Sequence, residues 1–361
     1  MKSEDSVYAG LSLSDRGERP LVVVTDDRFG DEAALERTLL EAAGCELRVA
    51  ACKTPRDVAE AGREADALLV NMAPLNAEAI AGLDKCRVIA RYGVGLDNVD
   101  LAAAKARGIV VRNVPGYCDR EVAEHTLGLI LALARRIPER DAAVRAGRWN
   151  AVAPGKRVSG TTLGILGFGG SGKAVARAGL GLGFTEILVW SPHITEARIK
   201  AFLDGTPASL GIVVRPASLD ELLEKADWVT VHLPLLADTR NMFDAPTFAR
   251  MKPDAHFINT SRGGLVDEKA LAAALLSGHI GGAGLDVYQG EPLPADSPLR
   301  GLPNLVYSDH SAYASVESIA ELRRRTAENA LAVLAAATTA ATTAGAPGAA
   351  APALAVAGAS L

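Results

Sequence analysis

Three glycines, Gly167, Gly169 and Gly172, stand at the spacing G-x-G-x-x-G. Glycine at those places serves anion chemistry. The first lets the chain turn tightly, the second lets backbone approach a pyrophosphate, and the third brings a helix against a strand. The helix that follows offers free N–H groups and the positive end of its dipole to the phosphates. Gly170 and Ser171 lie inside the same turn. In a chain with 35 glycines the spacing alone is weak, and a plain tight turn is the competing reading. Its setting raises it. Leu163, Ile165 and Leu166 before it read as a buried strand, and Ala, Val and Leu recur at helical intervals over residues 173–182 after it.

The elements around this turn alternate. Strands are predicted at 21–24, 46–50, 67–70, 88–90 and 109–111, with helices at 32–43, 57–65, 78–83 and 101–107, the pattern of a parallel sheet covered on both faces. A long apolar helix follows over 120–136, with Pro138 just past it. Residues 139–157 are polar, contain Gly147, Trp149 and Pro154, and read as a connecting arm. A second alternating unit then has strands at 163–166, 187–190, 228–232, 256–259, 282–286 and 304–307, the six of a complete dinucleotide domain. Residues 202–215 read as a surface excursion. Residues 316–337 read as one helix, with Glu317, Glu321 and Arg325 four apart on a solvated face.

A length of 361 residues suggests two domains. A net charge of −5 supplies no basic footprint for nucleic acid, so an anionic substrate must be met by local donors. Cys45, Cys52, Cys86 and Cys118 form no C-x-x-C pair. No metal spacing and no disulfide framework is expected, and reduced thiols in the cytoplasm are the simpler reading. Residues 1–20 are polar, without the apolar core of a signal peptide, and are expected as a disordered tail. The Ala-rich end is broken by Thr, Gly and Pro, so no membrane partner is expected, and residues 338–361 are expected to be a low-complexity tail with little fixed structure.

With these blocks in order, the chain resembles the D-isomer-specific 2-hydroxyacid dehydrogenase family over roughly residues 21–334. The resemblance rests on Arg91-Tyr92-Gly93-Val94-Gly95-Leu96-Asp97-Asn98-Val99-Asp100, on Val122-Ala123-Glu124-His125-Thr126, and on the glycine turn. It rests also on Asn259-Thr260-Ser261-Arg262-Gly263-Gly264, Gly284-Leu285-Asp286-Val287-Tyr288-Gln289-Gly290-Glu291-Pro292 and Asp309-His310-Ser311-Ala312. Val114-Pro115-Gly116-Tyr117-Cys118 and the surroundings of His310 look closest to members similar to phosphoglycerate dehydrogenase and to C-terminal binding protein; no appended regulatory domain is expected. The resemblance implies an α/β fold of two Rossmann-like or flavodoxin-like domains with doubly wound parallel sheets and a cleft between them. It places a discontinuous substrate domain at 21–112 plus 311–337 and a dinucleotide-binding domain at 113–310.

The resemblance also implies roles. His310 matches the acid/base, and histidine suits that work because its ordinary pKa of about 6.5 lies near working pH. Glu291 matches the carboxylate that holds the imidazole and stabilises its protonated form. Arg262 matches the group that grips a substrate carboxylate, which its planar fork suits better than lysine would. Tyr92, Gly93, Val94 and Gly95, with Arg262 and His310, are the expected substrate contacts. The expected cofactor contacts are Gly167, Gly169, Gly170, Ser171, Gly172, Ser191, His232, Leu233, Pro234, Thr239, Thr260, Ser261, Arg262, Asp286, His310 and Thr126. Taken singly, a histidine, an arginine or a glutamate before proline is more often structural. Their joint placement after successive strands reverses that weighting. His125, His193, His232, His256 and His279 read as structural or peripheral, His232 mattering by its position before Leu233-Pro234 more than by its imidazole; Cys86 and Cys118 read as packing, and Arg91, Met72, Trp149 and Tyr313 as pocket-lining candidates.

Ser191 stands where the family often has an aspartate that receives the ribose hydroxyls and repels a 2′-phosphate. Serine can bond one hydroxyl but repels nothing, and His193 and Arg198 nearby suit a phosphate, so NAD is favoured with NADP close behind. Ser171 replaces an apolar residue, and Asp309 stands where proline commonly precedes the histidine. The expected activity is hydride transfer between nicotinamide and a D-2-hydroxyacid or 2-keto acid of phosphoglycerate, glycerate/hydroxypyruvate or glyoxylate type, by a homodimer. The rivals are an NAD(H)-sensing, corepressor-like binding protein and a phosphite-type dehydrogenase on the same scaffold.

Overall fold

A computed structural model describes residue 13, residues 19–204 and residues 211–343; the rest of the expected N-terminal tail, and the C-terminal tail from 344 on, lie outside the described residues. The chain separates into two compact units, Met1–Tyr117 with Val316–Leu361, and Cys118–Ser315. The first break falls beyond the expected 112 because Val114 N–H bonds the Gly93 carbonyl and the Asn113 amide bonds the Val94 carbonyl, which tie this stretch to the first sheet.

The first unit runs β1 (Leu21–Val24), α1 (Ala34–Ala42), β2 (Glu46–Val49), α2 (Pro55–Gly62), β3 (Ala67–Val70), α3 (Ala77–Ala81), β4 (Val88–Arg91), α4 (Leu101–Ala106) and β5 (Val110–Arg112). Its sheet is parallel in the order β2-β1-β3-β4-β5. β1 and β3 are buried along their whole length, which is why they read as unbroken apolar runs. Side chains start α2, α3 and α4. Thr54 and Asp57 form a capping box ahead of α2, Asn76 caps α3 and Asp100 caps α4. Helix α2 therefore begins at Pro55, two residues before the expected start, with proline in its first turn.

The second unit runs α5 (Asp119–Arg135), α6 (Ile137–Arg145), β6 (Thr162–Leu166), α7 (Gly170–Gly179), β7 (Glu186–Trp190), α8 (Glu196–Leu203), β8 (Val213–Pro216), α9 (Leu219–Lys225), β9 (Trp228–Val231), α10 (Ala245–Arg250), β10 (His256–Asn259), α11 (Glu268–Leu276), β11 (Gly282–Leu285) and β12 (Leu305–Tyr307). The sheet order is β12-β11-β10-β9-β6-β7-β8, parallel throughout. Two expectations need correction. The sheet has a seventh strand, β8, inside the stretch read as a surface excursion. An edge strand buries little, and here Val214 is buried while Val213 is 52% exposed. Arg215 fastens it through Glu186 and Glu221. The supposed polar arm begins with a helix, because Arg136 turns through a left-handed conformation and Pro138 opens α6 rather than ending α5.

The chain returns to the first unit with α12 (Val316–Thr343), which packs on α1 and on β3, β4 and β5. It passes the expected end at 337, as its alanine-rich sequence favours. Arg323 on α12 reaches both carboxylate oxygens of Glu36 at 2.6–3.1 Å and those of Asp31 at 2.8 and 2.9 Å, and lies 4.8 Å over the Phe29 ring. Glu36 is fully buried, and it also accepts a hydrogen bond from the Tyr92 hydroxyl at 3.0 Å. The Arg323 hydrogen bond holds the Asp31 carboxyl below its ordinary range. No helix among the described residues is long and apolar enough to cross a membrane.

In β10 the His256 ring stacks on buried Trp228 at 4.4 Å. Burial first, then the charge of Lys156, lower its pKa to about 4. The folded ring thus stays neutral where the unfolded ring protonates, so its contribution is complete above about pH 6.5 and is lost as the pH falls toward 4. Replacing it with phenylalanine (H256F) is expected to remove about 2–3 kcal/mol of that acid-induced loss. The comparison of urea-unfolding curves for both proteins across this window measures it.

Candidate functional site

Strand β6 ends at the glycine turn. Gly167 has φ +95°, and a Cβ there would lie 2.2 Å from the His232 carbonyl oxygen. A Cβ on Gly172 would lie 2.1 Å from the Gly167 oxygen, so α7 lies close against the turn. Gly169 faces open space, with nothing within 4 Å of a Cβ, and α7 starts without a side-chain cap. One position is forced by conformation, one by packing and one is left open. Those are the three requirements of a pyrophosphate cradle at a helix N-terminus. The turn also lies where the sheet order reverses, between β6 and β9, the usual place for a ligand in an open parallel sheet.

Other expected cofactor contacts surround it. After β7, Ser191 accepts the Ile194 N–H, and Arg198 donates to the His193 carbonyl at 3.2 Å. After β9, His232 N–H bonds the Leu166 carbonyl. Both ring nitrogens of His232 are buried without a hydrogen-bond partner, and burial lowers its pKa to about 4. Leu233 is buried, and the Thr239 hydroxyl holds the loop by bonding the Pro234 carbonyl and accepting the Leu236 N–H. Thr126 and Thr260 are buried with their hydroxyls 3.0 Å apart. The Ser261 hydroxyl is bonded to the Val231 carbonyl. These three side chains support the backbone from within.

Arg262, Glu291 and His310 gather at the ends of β10, β11 and β12. His310 Nδ1 is 2.6 Å from Glu291 Oε2, and the other oxygen of Glu291 accepts the Tyr288 N–H at 3.0 Å. Burial opposes ionisation of Glu291. The His310 and Tyr288 hydrogen bonds, with the positive charges of His310 and Arg262, outweigh it and hold the carboxyl below its ordinary pKa. Gly263 explains how Arg262 comes near, since a Cβ there would meet the Tyr288 backbone at 1.9 Å. Only glycine lets the two loops touch. Asn259 holds the Arg262 carbonyl at 2.9 Å. Asp309 is turned aside, its carboxyl held low mainly by the Ser311 hydroxyl.

Asp286, expected as a cofactor contact, is 1% exposed and fully engaged. It accepts from the Ser308 hydroxyl at 2.7 Å and from the Ser311 and Ala312 N–H groups at 2.9 Å, while its carbonyl accepts the His310 N–H at 2.8 Å. His125 reaches Ser308 at 2.8 Å and adds to this support. His310 itself sits at φ +56°, a left-handed conformation that a non-glycine residue keeps only when its surroundings hold it there. Nothing in the spacing of Ser308, Tyr288 or Asn259 marked them as supports.

In the first unit, the loop after β4 carries Gly93 at φ +133°, and Val94 is 47% exposed. Tyr92 does not open to solvent as a substrate contact would. It is 3% exposed, its hydroxyl on Glu36 and its ring 5.5 Å from Phe29. Met72 is exposed, 4.0 Å from Arg91 through its sulfur. Trp149 is 80% exposed.

Known proteins match the chain over most of its length. The profile described as "D-isomer specific 2-hydroxyacid dehydrogenase, NAD binding domain" matches residues 127–312. The chain belongs to the D-isomer-specific 2-hydroxyacid dehydrogenase family. It is 40% identical over 281 residues to the glyoxylate reductase of Korarchaeum cryptofilum, covering 76% of this chain and 81% of that protein. It is 38% identical over 292 residues to the glycerate dehydrogenase of Methylorubrum extorquens, covering 78% and 87%. A D-3-phosphoglycerate dehydrogenase of Mycobacterium bovis is 41% identical over 257 residues, 71% of this chain but 46% of that protein's length. Among solved structures, a glyoxylate reductase from Paecilomyes thermophila superposes with TM-score 0.77 at 27% identity, covering 88% of this chain and 95% of that one. This family member is thus an NAD(P)-dependent oxidoreductase with an α/β fold of two parallel sheets.

Asp286 is the support with the most to lose. Asp286→Asn keeps the shape but turns an N–H₂ toward donors that need an acceptor. It is expected to lower stability by roughly 2–4 kcal/mol, read as a shift in the urea midpoint at constant slope.

Proposed function

We propose that this dehydrogenase acts on a small D-2-hydroxyacid or its 2-keto acid, of the glyoxylate, glycerate/hydroxypyruvate or phosphoglycerate type, with His310 as acid/base. The observation that carries the reading is the 2.6 Å contact between Glu291 Oε2 and His310 Nδ1, with the charge of Arg262 acting on the same carboxylate. The glyoxylate reductase and glycerate dehydrogenase relatives, each covered over most of its length, support the substrate class.

The nicotinamide cofactor, held by the glycine turn and the loops after β7 and β9, supplies the hydride exchange. The protein's own groups handle the proton and the charge. Because Glu291 engages Nδ1, Nε2 of His310 is the ring nitrogen that takes the hydroxyl proton in oxidation and returns it in reduction. An ionised Glu291 balances the imidazolium that forms. Arg262 pairs with the substrate carboxylate through two parallel N–H groups. In the first unit, the backbone N–H groups of Gly93, Val94 and Gly95 are suited to an anion in their own right.

NAD is favoured over NADP, since Arg198 donates to the His193 carbonyl at 3.2 Å and would have to leave it to meet a 2′-phosphate. The protein works as a homodimer. Ile137, Val144 and Trp149, exposed on α6 and the segment after it, supply the apolar face, and sedimentation velocity tests it. The four cysteines are free thiols, in keeping with the reducing cytoplasm.

The test is cofactor oxidation or reduction over glyoxylate, hydroxypyruvate, glycerate, 3-phosphoglycerate and phosphite, with NAD and NADP forms in parallel. Turnover of at least one of the four organic acids is expected, and His310→Ala should lower its kcat by about 10²–10⁴. Phosphite turnover alone would move the reading to the phosphite type. Tight NADH binding without turnover of any compound would favour a dinucleotide-sensing protein.

A further inference from the structure

Asp119 opens α5 with its carboxylate at the start of α7. Its Oδ1 accepts the Ser171 hydroxyl at 2.9 Å, and a Cβ built on Gly170 would lie 2.1 Å from its Oδ2. The carboxylate therefore rests on Gly170 and Ser171, the two residues inside the glycine turn, and only the missing side chain at 170 makes room for it. A carboxylate is well placed there on its own account. It stands in the first turn of α5, whose positive end favours it, and beside the uncapped start of α7. The same charge is badly placed for a pyrophosphate. Ser171 has a single hydroxyl proton, and Asp119 holds it, so that proton is not free for a phosphate oxygen.

We propose that Asp119 is a built-in competitor for the phosphate cradle and sets how tightly, and for how long, the dinucleotide is held. When the cofactor binds, Asp119 must yield the Ser171 proton or share the turn with a second anion. Either route lowers affinity and speeds release. The inference concerns the cofactor alone and is independent of the substrate assignment.

The experiment is fluorescence titration of the full chain with NADH, joined to stopped-flow displacement, for the native protein and Asp119→Asn. Asparagine keeps the size and an acceptor for Ser171 and removes the charge. At low salt the variant is expected to bind NADH about five- to twentyfold more tightly and to release it correspondingly more slowly. The gap should narrow at roughly 0.5 M salt, where exposed charges are screened. Asp119→Ser, which keeps a small polar side chain in the first turn of α5 and removes the charge, should tighten binding in the same sense and serves if the first variant does not fold. Thermal melts by circular dichroism establish that each is folded. Unchanged or weaker NADH binding in a folded variant overturns the proposal, as does a tightening that high salt leaves untouched.

Discussion

The carboxylate of Asp286 receives three hydrogen bonds from the segment 308–312 while the carbonyl of the same residue receives a fourth. A buried charge of this kind persists only with its acceptor sites filled. The filling groups are those that shape the loop carrying His310. The histidine holds its left-handed backbone because its neighbours on both sides are pinned to one side chain. Glu291 then needs only to set the imidazole plane, and Arg262 arrives through the close passage at Gly263. Rigidity flows from the end of β11 outward, and the Glu291–His310 pair is its last link.

The two units obey one rule with different strand orders. In each, strands buried on both faces run parallel, and the loops at their carboxyl ends carry the polar work. Gly93 in one unit and Gly167 in the other adopt positive φ right after a strand, where chain reversal and exposed backbone are both required. In the first unit a buried ion pair lies behind that loop, and in the second a neutral histidine lies beside it. Glu36 needs the guanidinium of Arg323, because burial without it would leave a lone charge. His232 avoids the same problem by shedding its proton.

Much of this was legible in the residues. The glycine turn could be read because each glycine answers a local backbone demand, and the buried strands because unbroken runs such as Leu21–Val24 have no other stable use. The trio of Arg262, Glu291 and His310 became visible through resemblance rather than spacing, since tertiary structure alone brings them together. Three features were hidden for identifiable reasons. Strand β8 is an edge strand with one buried apolar side chain in its middle, too little for a periodic signal. Pro138, just past the end of α5, stands in the first turn of a further helix, α6, which depends on the left-handed turn at Arg136. Tyr92 looked like a pocket residue, yet its partner Glu36 lies far away in the chain and its own neighbours point nowhere near it. Asp119 gave no sign at all, for its effect depends on the emptiness at Gly170.

Helix α12 covers one face of the first sheet and supplies the guanidinium that neutralises Glu36. Nearly two hundred residues, the whole of Cys118–Ser315, separate it from the strands it covers. A ribosome making this chain therefore delivers β1 to β5 long before their cover. The intervening unit is continuous in the chain and needs no later segment. Until α12 follows, the apolar face of that sheet and the carboxylate of Glu36 are without their cover.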